Sequence, residues 1–194
     1  MNTPRIVLAS TSRYRAELLR RIIPEFEQMS PGVDEPELPG EPPRVRASRL
    51  AVAKARDIAS NLGDALVIGS DQVAALGDHV LHKPVSIENA HEQLRASSGK
   101  SVDFFTGLCV IDNLDGRHHE VLDHTQVVFR TLTDAEIARY VALERPLDCA
   151  GSFKSEGAGI GLFERIESQD PTALIGLPLI ALARMLRAAG IAVP

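Results

Sequence analysis

Apolar and polar positions along this chain follow two periods, and each switch between them marks an element. Arg5 to Ala9 (RIVLA) is a short apolar run that reads as a strand. Ser10, Thr11 and Ser12 follow. Leu18, Leu19, Ile22 and Ile23 then recur on one side of a helix that Pro24 stops. Residues 30–43 hold five prolines, two glycines and four acids, which predicts a loop. From Pro43 to Leu62 an apolar stripe of Ala47, Leu50, Ala51, Ala55, Ile58 and Leu62 predicts a helix closed by Gly63.

Ala65 to Ile68 (ALVI) is continuously apolar, as expected of a buried central strand. The polar Gly69-Ser70-Asp71-Gln72 follows it. Val73 to Leu76 is a second apolar run, closed by a hairpin turn at Gly77-Asp78. Ser86 can cap a helix through Ser97, with Gly99 closing it. Ser101 to Ile111 and Glu120 to Phe129 read as an antiparallel pair around a turn at 113–116. Thr133 with Glu136 forms a capping box for a helix through Leu143, ended by Pro146. Pro178 suits the first turn of a last helix through Ala189, stopped by Gly190. Strands alternating with helices predict an α/β domain with a mixed sheet and flanking helices.

Composition narrows the function classes. The 194 residues suit one domain, or one domain with a lobe, and the 44% apolar and 24% charged fractions are ordinary for a globular protein. No apolar run approaches the roughly 20 residues that span a bilayer. The opening MNTPRIVLAS reads as a first strand rather than a signal peptide, so the expected compartment is the reducing cytosol. Cys109 and Cys149 have neither metal-ligand nor disulfide spacing and are expected to be buried structural thiols. A net charge of −5 argues against broad nucleic-acid binding but leaves room for a local basic pocket.

Several constellations could carry chemistry. Ser10 to Arg15 (STSRYR) runs from a strand through hydroxyls into a helix. Free N–H groups there favour an anion, with Arg adding charge-assisted bonds, although simple capping by Ser12 also accounts for it. Asp71 follows ALVIGS, at the end of a buried strand where α/β sheets open their crevices. It could hold a metal, take a proton from water, or be satisfied by loop N–H groups. A loop acid, Glu35 with Asp34 as its rival, would complete a hard-oxygen site with Asp71 for Mg²⁺ or Mn²⁺. Lys54, Lys83 and Lys154 are candidate phosphate contacts. Lys54 could equally snorkel from the edge of its apolar stripe. Gly157, Gly159 and Gly161 lack the helix that a dinucleotide fingerprint needs, and no phosphate-binding P-loop, esterase elbow or zinc-protease motif occurs. Residues alone therefore support an α/β domain with an anion and metal site.

The ordered segments LASTSRYRAELL (8–19), VDE (33–35), LAVAKA (50–55), VIGSDQV (67–73), Lys83-Pro84, FFTGL (104–108), CAGSFKSEGAG (149–159) and LIGLPL (174–179) together resemble the Maf-like nucleoside triphosphate pyrophosphatase family. The resemblance spans nearly the whole chain. It implies an elongated, two-lobed Maf/inosine-triphosphatase-like fold with a central cleft, treated as one domain over 1–194. It implies hydrolysis of a nucleoside triphosphate to a monophosphate and pyrophosphate with a divalent metal cation, in a cytoplasmic homodimer. It assigns proton acceptance to Asp71, phosphate or metal contact to Ser10, Arg15, Glu35, Lys54 and Lys83, and metal ligation to Glu35 and Asp71. Gln72 and the SFKSE of 152–156 resemble the subgroup acting on 7-methyl-GTP rather than dTTP and UTP. In that subgroup Tyr14, Gln72 and Glu156 sit at specificity positions. The subgroup often carries tryptophan where this chain has Tyr14, which implies looser selection of the methylated base. A dTTP/UTP pyrophosphatase of the same family, a nucleotide-binding regulator of cell division and a γ-phosphatase are the alternative functions.

Overall fold

The computed structural model describes residues 5–194, so the first four positions of the opening segment lie outside it. The chain is α/β. Strands are β1 (Arg5–Ala9), β2 (Glu27–Met29), β3 (Ala65–Leu76), β4 (His79–Leu81), β5 (Ser101–Asp112), β6 (Arg117–Phe129) and β7 (Phe163–Glu167). Helices are α1 (Arg13–Arg20), α2 (Pro43–Ala59), α3 (Ile87–Ser97), α4 (Asp134–Glu144) and α5 (Leu179–Ala188). The sheet order is β2-β1-β3-β5-β6-β7, with β4 also pairing β3. It is mixed: β1 runs parallel to β2 and β3, whereas β3–β4 and β6–β7 are antiparallel. The expected α/β class and mixed sheet are observed.

Helices α1, α3 and α4 begin where a side chain satisfies an unpaired N–H group of the first turn, whereas α2 and α5 begin at proline. The Ser12, Ser86 and Thr133 hydroxyls accept from the N–H groups of Arg15, Asn89 and Glu136. Thr133 and Glu136 make the reciprocal bonds of the capping box. One boundary needs correction. The polar Gly69-Ser70-Asp71-Gln72 does not end a strand: β3 runs unbroken through it, so Asp71 lies mid-strand. Two strands have no counterpart in the sequence pattern, β2 (EQM) and β7 (FERIE), because both are short and largely exposed.

The chain divides into two compact units. The first comprises residues 1–71, 106–123 and 170–194. Its main core joins Leu8, Leu18, Leu19, Leu66, Ile68, Leu108, Leu177, Leu182 and Leu186, and a smaller core joins Val7, Ala9, Ile58, Ala65 and Val67. The second comprises residues 72–105 and 124–169. It is organised by Phe104, Phe129, Phe153 and Phe163, which meet edge to face at centroid separations of 4.7–5.7 Å. Edge-to-face contact suits the ring quadrupoles.

Candidate active site

The first unit holds a charged centre that its backbone brings together by close approach. In α2, Ala47, Ala51 and Ala55 form a small-residue stripe. In the sheet, Gly69 and Gly107 lie against it. A Cβ on Gly69 would fall 2.5 Å from the Ala51 carbonyl oxygen, and one on Gly107 would fall 2.4 Å from that of Ala47. Without those methyls α2 settles directly on β3 and β5. Asp71 shares the face of Gly69, two residues along the strand. It thus meets Lys54, one residue before Ala55.

The Lys54 ammonium is held by two carboxylates. Asp71 Oδ1 and Glu35 Oε1 each lie 2.6 Å from its Nζ. The Lys54 and Asp71 side chains are only 10% and 9% exposed, whereas Glu35 is 47% exposed. Lys54 is therefore no snorkelling lysine. Of the two rival acids, Glu35 makes this contact. Its loop is fastened to α2: Arg46 donates to the Glu35 carbonyl at 3.0 Å, Arg49 to the Pro36 carbonyl and the Glu41 carboxylate, and Gly32 N–H to Asp57. A proline-rich segment without regular structure is thus held at a fixed place.

At the start of α1, Ser10 is buried and its hydroxyl oxygen accepts from Ser12 N–H at 3.1 Å and from Arg15 Nη1 at 3.3 Å. Arg15 Nε donates to the Gly176 carbonyl at 2.9 Å. Burial pushes the Arg15 guanidinium below its usual range, and the charges of Asp71 and Glu35 oppose that shift. The Arg15 guanidinium thus lies in the electrostatic field of the same two carboxylates, while its hydrogen bonds go to Ser10 and Gly176. The N-cap role of Ser12 and a basic residue bonded to Ser10 occur together.

Tyr14 carries a cation of its own. The Arg13 guanidinium sits 4.7 Å from its ring centroid and donates to its hydroxyl at 2.8 Å. A cationic base stacked on that ring would use the other face or displace Arg13.

The remaining candidates belong to the second unit. Lys83 is exposed and precedes the buried Pro84. Gln72 is half-buried and Glu156 exposed, with Ser155 Oγ 3.5 Å from its carboxylate. Lys154 is spent structurally: its ammonium donates to the Glu144 carbonyl at the end of α4 at 2.7 Å, with the Glu144 carboxylate 3.7 Å away. Of the cysteines, Cys109 is buried and its thiol is pushed up to about 12 by desolvation, then by Glu120. Cys149 is only half-buried, so its expected full burial is corrected.

No group of three or more His, Cys, Asp or Glu side chains suited to a metal occurs among the described residues. Glu35 and Asp71 nevertheless fit a hard divalent ion, because both already share one cation. Two carboxylates completed by substrate phosphates is the usual Mg²⁺ arrangement.

The profile described as "Maf-like protein" matches residues 5–189. The chain belongs to the Maf family. A Maf relative from Nitrosococcus oceani, named 7-methyl-GTP pyrophosphatase, is 50% identical over 187 residues, covering 96% of this chain and 94% of its own. One from Xanthomonas axonopodis pv. citri with the same name is 53% identical over 191 residues, covering 98% and 100%. A third, from a Polaromonas species and named alike, is 52% identical over 187 residues, covering 96% and 85%. No helix among the described residues of this Maf chain is long and apolar enough to cross a membrane.

Sequence reasoning did not single out Gly69, Gly107, Ser70 or Gly176. A lone glycine inside an apolar strand is the one signal that could have pointed to Gly69.

Proposed function

We propose that this chain is a nucleoside triphosphate pyrophosphatase that cuts 7-methyl-GTP between its α- and β-phosphates. The products are the monophosphate and pyrophosphate. The observation that carries the reading is the buried Asp71–Lys54 pair with Glu35 on the same ammonium. The relatives named 7-methyl-GTP pyrophosphatase support the choice of base.

In this reading water attacks the α-phosphorus and the bond to the bridging oxygen breaks. Asp71 takes the proton from that water. Its Oδ1 already holds Lys54, so Oδ2 is the oxygen assigned to the water. Such a positioned base contributes typically 10²–10⁴-fold. The Arg15 guanidinium and Ser10 hydroxyl hold phosphate oxygens, where charge-assisted bonds are strongest. Mg²⁺ or Mn²⁺ on Glu35 and Asp71 would supply charge neutralisation of the triphosphate. Lys83 is assigned to phosphate, and Tyr14, Gln72 and Glu156 to the base, on the family resemblance. The same reading makes the protein a cytoplasmic homodimer.

The test is a panel of triphosphates, 7-methyl-GTP, GTP, dTTP and UTP, with and without Mg²⁺ or Mn²⁺ and with products identified. Pyrophosphate and a monophosphate, with the highest kcat/KM for 7-methyl-GTP, are expected. Orthophosphate with a diphosphate would replace the reaction, and preference for dTTP or UTP would replace the substrate.

A further inference from the structure

Ser70 is fully buried in the middle of β3, next to Asp71 in sequence but on the opposite face of the strand. Its hydroxyl lies 2.8 Å from the Gly107 carbonyl and 2.9 Å from the Gly176 carbonyl. A serine has one proton to donate, so the two carbonyls share it. The Gly176 carbonyl also accepts from Arg15 Nε at 2.9 Å. That one oxygen is thus approached from two sides, by the shared Ser70 hydroxyl of β3 and by the guanidinium.

The turn that presents this oxygen is itself rigid. Gly176 has φ of +122°, a conformation that L side chains rarely adopt, and a Cβ there would stand 3.4 Å from Arg15 Nε. Asp170, also buried, accepts from Thr172 N–H at 3.0 Å and from Ile180 N–H at 2.7 Å. The Thr172 hydroxyl is 2.9 Å from the Leu177 carbonyl and accepts from Leu179 N–H at 2.9 Å. Asp170 and Thr172 shape the turn. Ser70 fixes it to the strand that carries Asp71.

Arg15 is consequently oriented from behind. Nε is held by Gly176 and Nη1 by Ser10, while Nη2 makes no hydrogen bond among the described residues. From these contacts we infer that Ser70 is a positioning residue: acting through the Gly176 carbonyl, it sets the direction in which Arg15 presents its remaining N–H groups to phosphate. The inference rests on the function proposed above. It gives that site a second support, reaching Arg15 from the face of β3 that Asp71 does not occupy.

A double-mutant cycle tests it, read by kcat/KM on 7-methyl-GTP and by calorimetric binding of inorganic pyrophosphate with Mg²⁺. Ser70→Ala is expected to lower kcat/KM by about 10- to 100-fold, the scale of a small misplacement of a catalytic group. It should weaken pyrophosphate binding in the same direction. In an Arg15→Ala background the same Ser70→Ala change is expected to alter neither readout. Equal losses in both backgrounds would show that Ser70 acts elsewhere, and a fully active Ser70→Ala would overturn the inference outright. Should Ser70→Ala not fold, Ser70→Cys keeps the volume with a weaker donor and runs the same cycle. If the wild type hydrolyses no triphosphate, the function fails, yet pyrophosphate binding still reads the coupling of Ser70 to Arg15. A wild type that does neither removes both.

Discussion

Lys54 and Lys154 are both largely withdrawn from water and both lie in segments that mark the family, yet they are held in opposite ways. The Lys54 ammonium sits between two carboxylate oxygens at 2.6 Å, over a floor of glycine and alanine that exists to let α2 come close. The Lys154 ammonium closes the end of α4 on the Glu144 carbonyl, while its backbone N–H donates to the buried Tyr140 hydroxyl. The first arrangement gathers more charge than a fold needs. The second satisfies a helix terminus, which any fold needs. A buried lysine therefore signals chemistry only when its partners are themselves in excess of structural demand.

Asp71→Asn should separate the two most sharply. It keeps the shape of the strand and removes the proton acceptor proposed above, so kcat should fall by about 10²–10⁴-fold. Thermal unfolding should show a native-like cooperative transition. Near wild-type turnover would end the assignment of Asp71 and reduce the Lys54 centre to a buried ion pair.

A matched pair of lysine substitutions comes next. Lys54→Met leaves the Asp71 carboxylate buried beside Glu35 without its cation, and breaking such a pair typically costs about 3–5 kcal/mol. The exposure of Glu35 lets it turn to water, so the lower end is expected here. Lys154→Met removes a cation from a helix terminus, worth about 0.3–1 kcal/mol. Turnover per folded molecule should vanish for the first and persist for the second. Equal stability losses in denaturant melts, or equal activity losses, would erase the distinction.

Gly69→Ala asks whether close approach is what makes the first arrangement. Its methyl would meet the Ala51 carbonyl at 2.5 Å and Ala55 N at 2.7 Å, both backbone, so α2 must move. Overpacking of this kind costs about 1–3 kcal/mol. Because Lys54 rides on the displaced helix, kcat should fall with it. A variant that loses stability and keeps its kcat would show that the carboxylates find Lys54 without help from the glycine.

Much of the fold was legible because its signals are local. Ser86 and Thr133 with Glu136 mark helix starts within four residues of the groups they satisfy, and Pro43 marks one by having no N–H to satisfy. The candidate site was legible only as residue types. Gly69-Ser70-Asp71-Gln72 reads as a strand end because polar residues interrupt an apolar run. Its side chains instead find partners that are distant in sequence: Asp71 meets Lys54, and Ser70 meets Gly107 and Gly176. Glu35 and Asp34 could not be told apart because a proline-rich loop has no period. What separates them is the anchoring by Arg46 and Arg49, a tertiary fact.

The smallest effect lies at the other end of the helix that Lys154 closes. The Glu136 carboxylate accepts from the Thr133 backbone and hydroxyl and lies 3.3 Å from Arg130. These contacts, the backbone bond first, hold its pKa down to about 2 from an ordinary 4.5. A depressed carboxylate stabilises the fold at every pH above its unfolded value, and the contribution fades as pH falls from about 4.5 toward about 2. Below both values nothing of it is left. Glu136→Gln keeps an oxygen for the Thr133 N–H but cannot titrate. Plotted against pH, the stability difference between wild type and variant should be flat above pH 5 and shrink on acidification. A difference that stays constant down to pH 2 would mean that Glu136 caps α4 by shape alone. The partly exposed side chain makes the effect small and salt-sensitive. Ionic-strength dependence is therefore the second signature to measure.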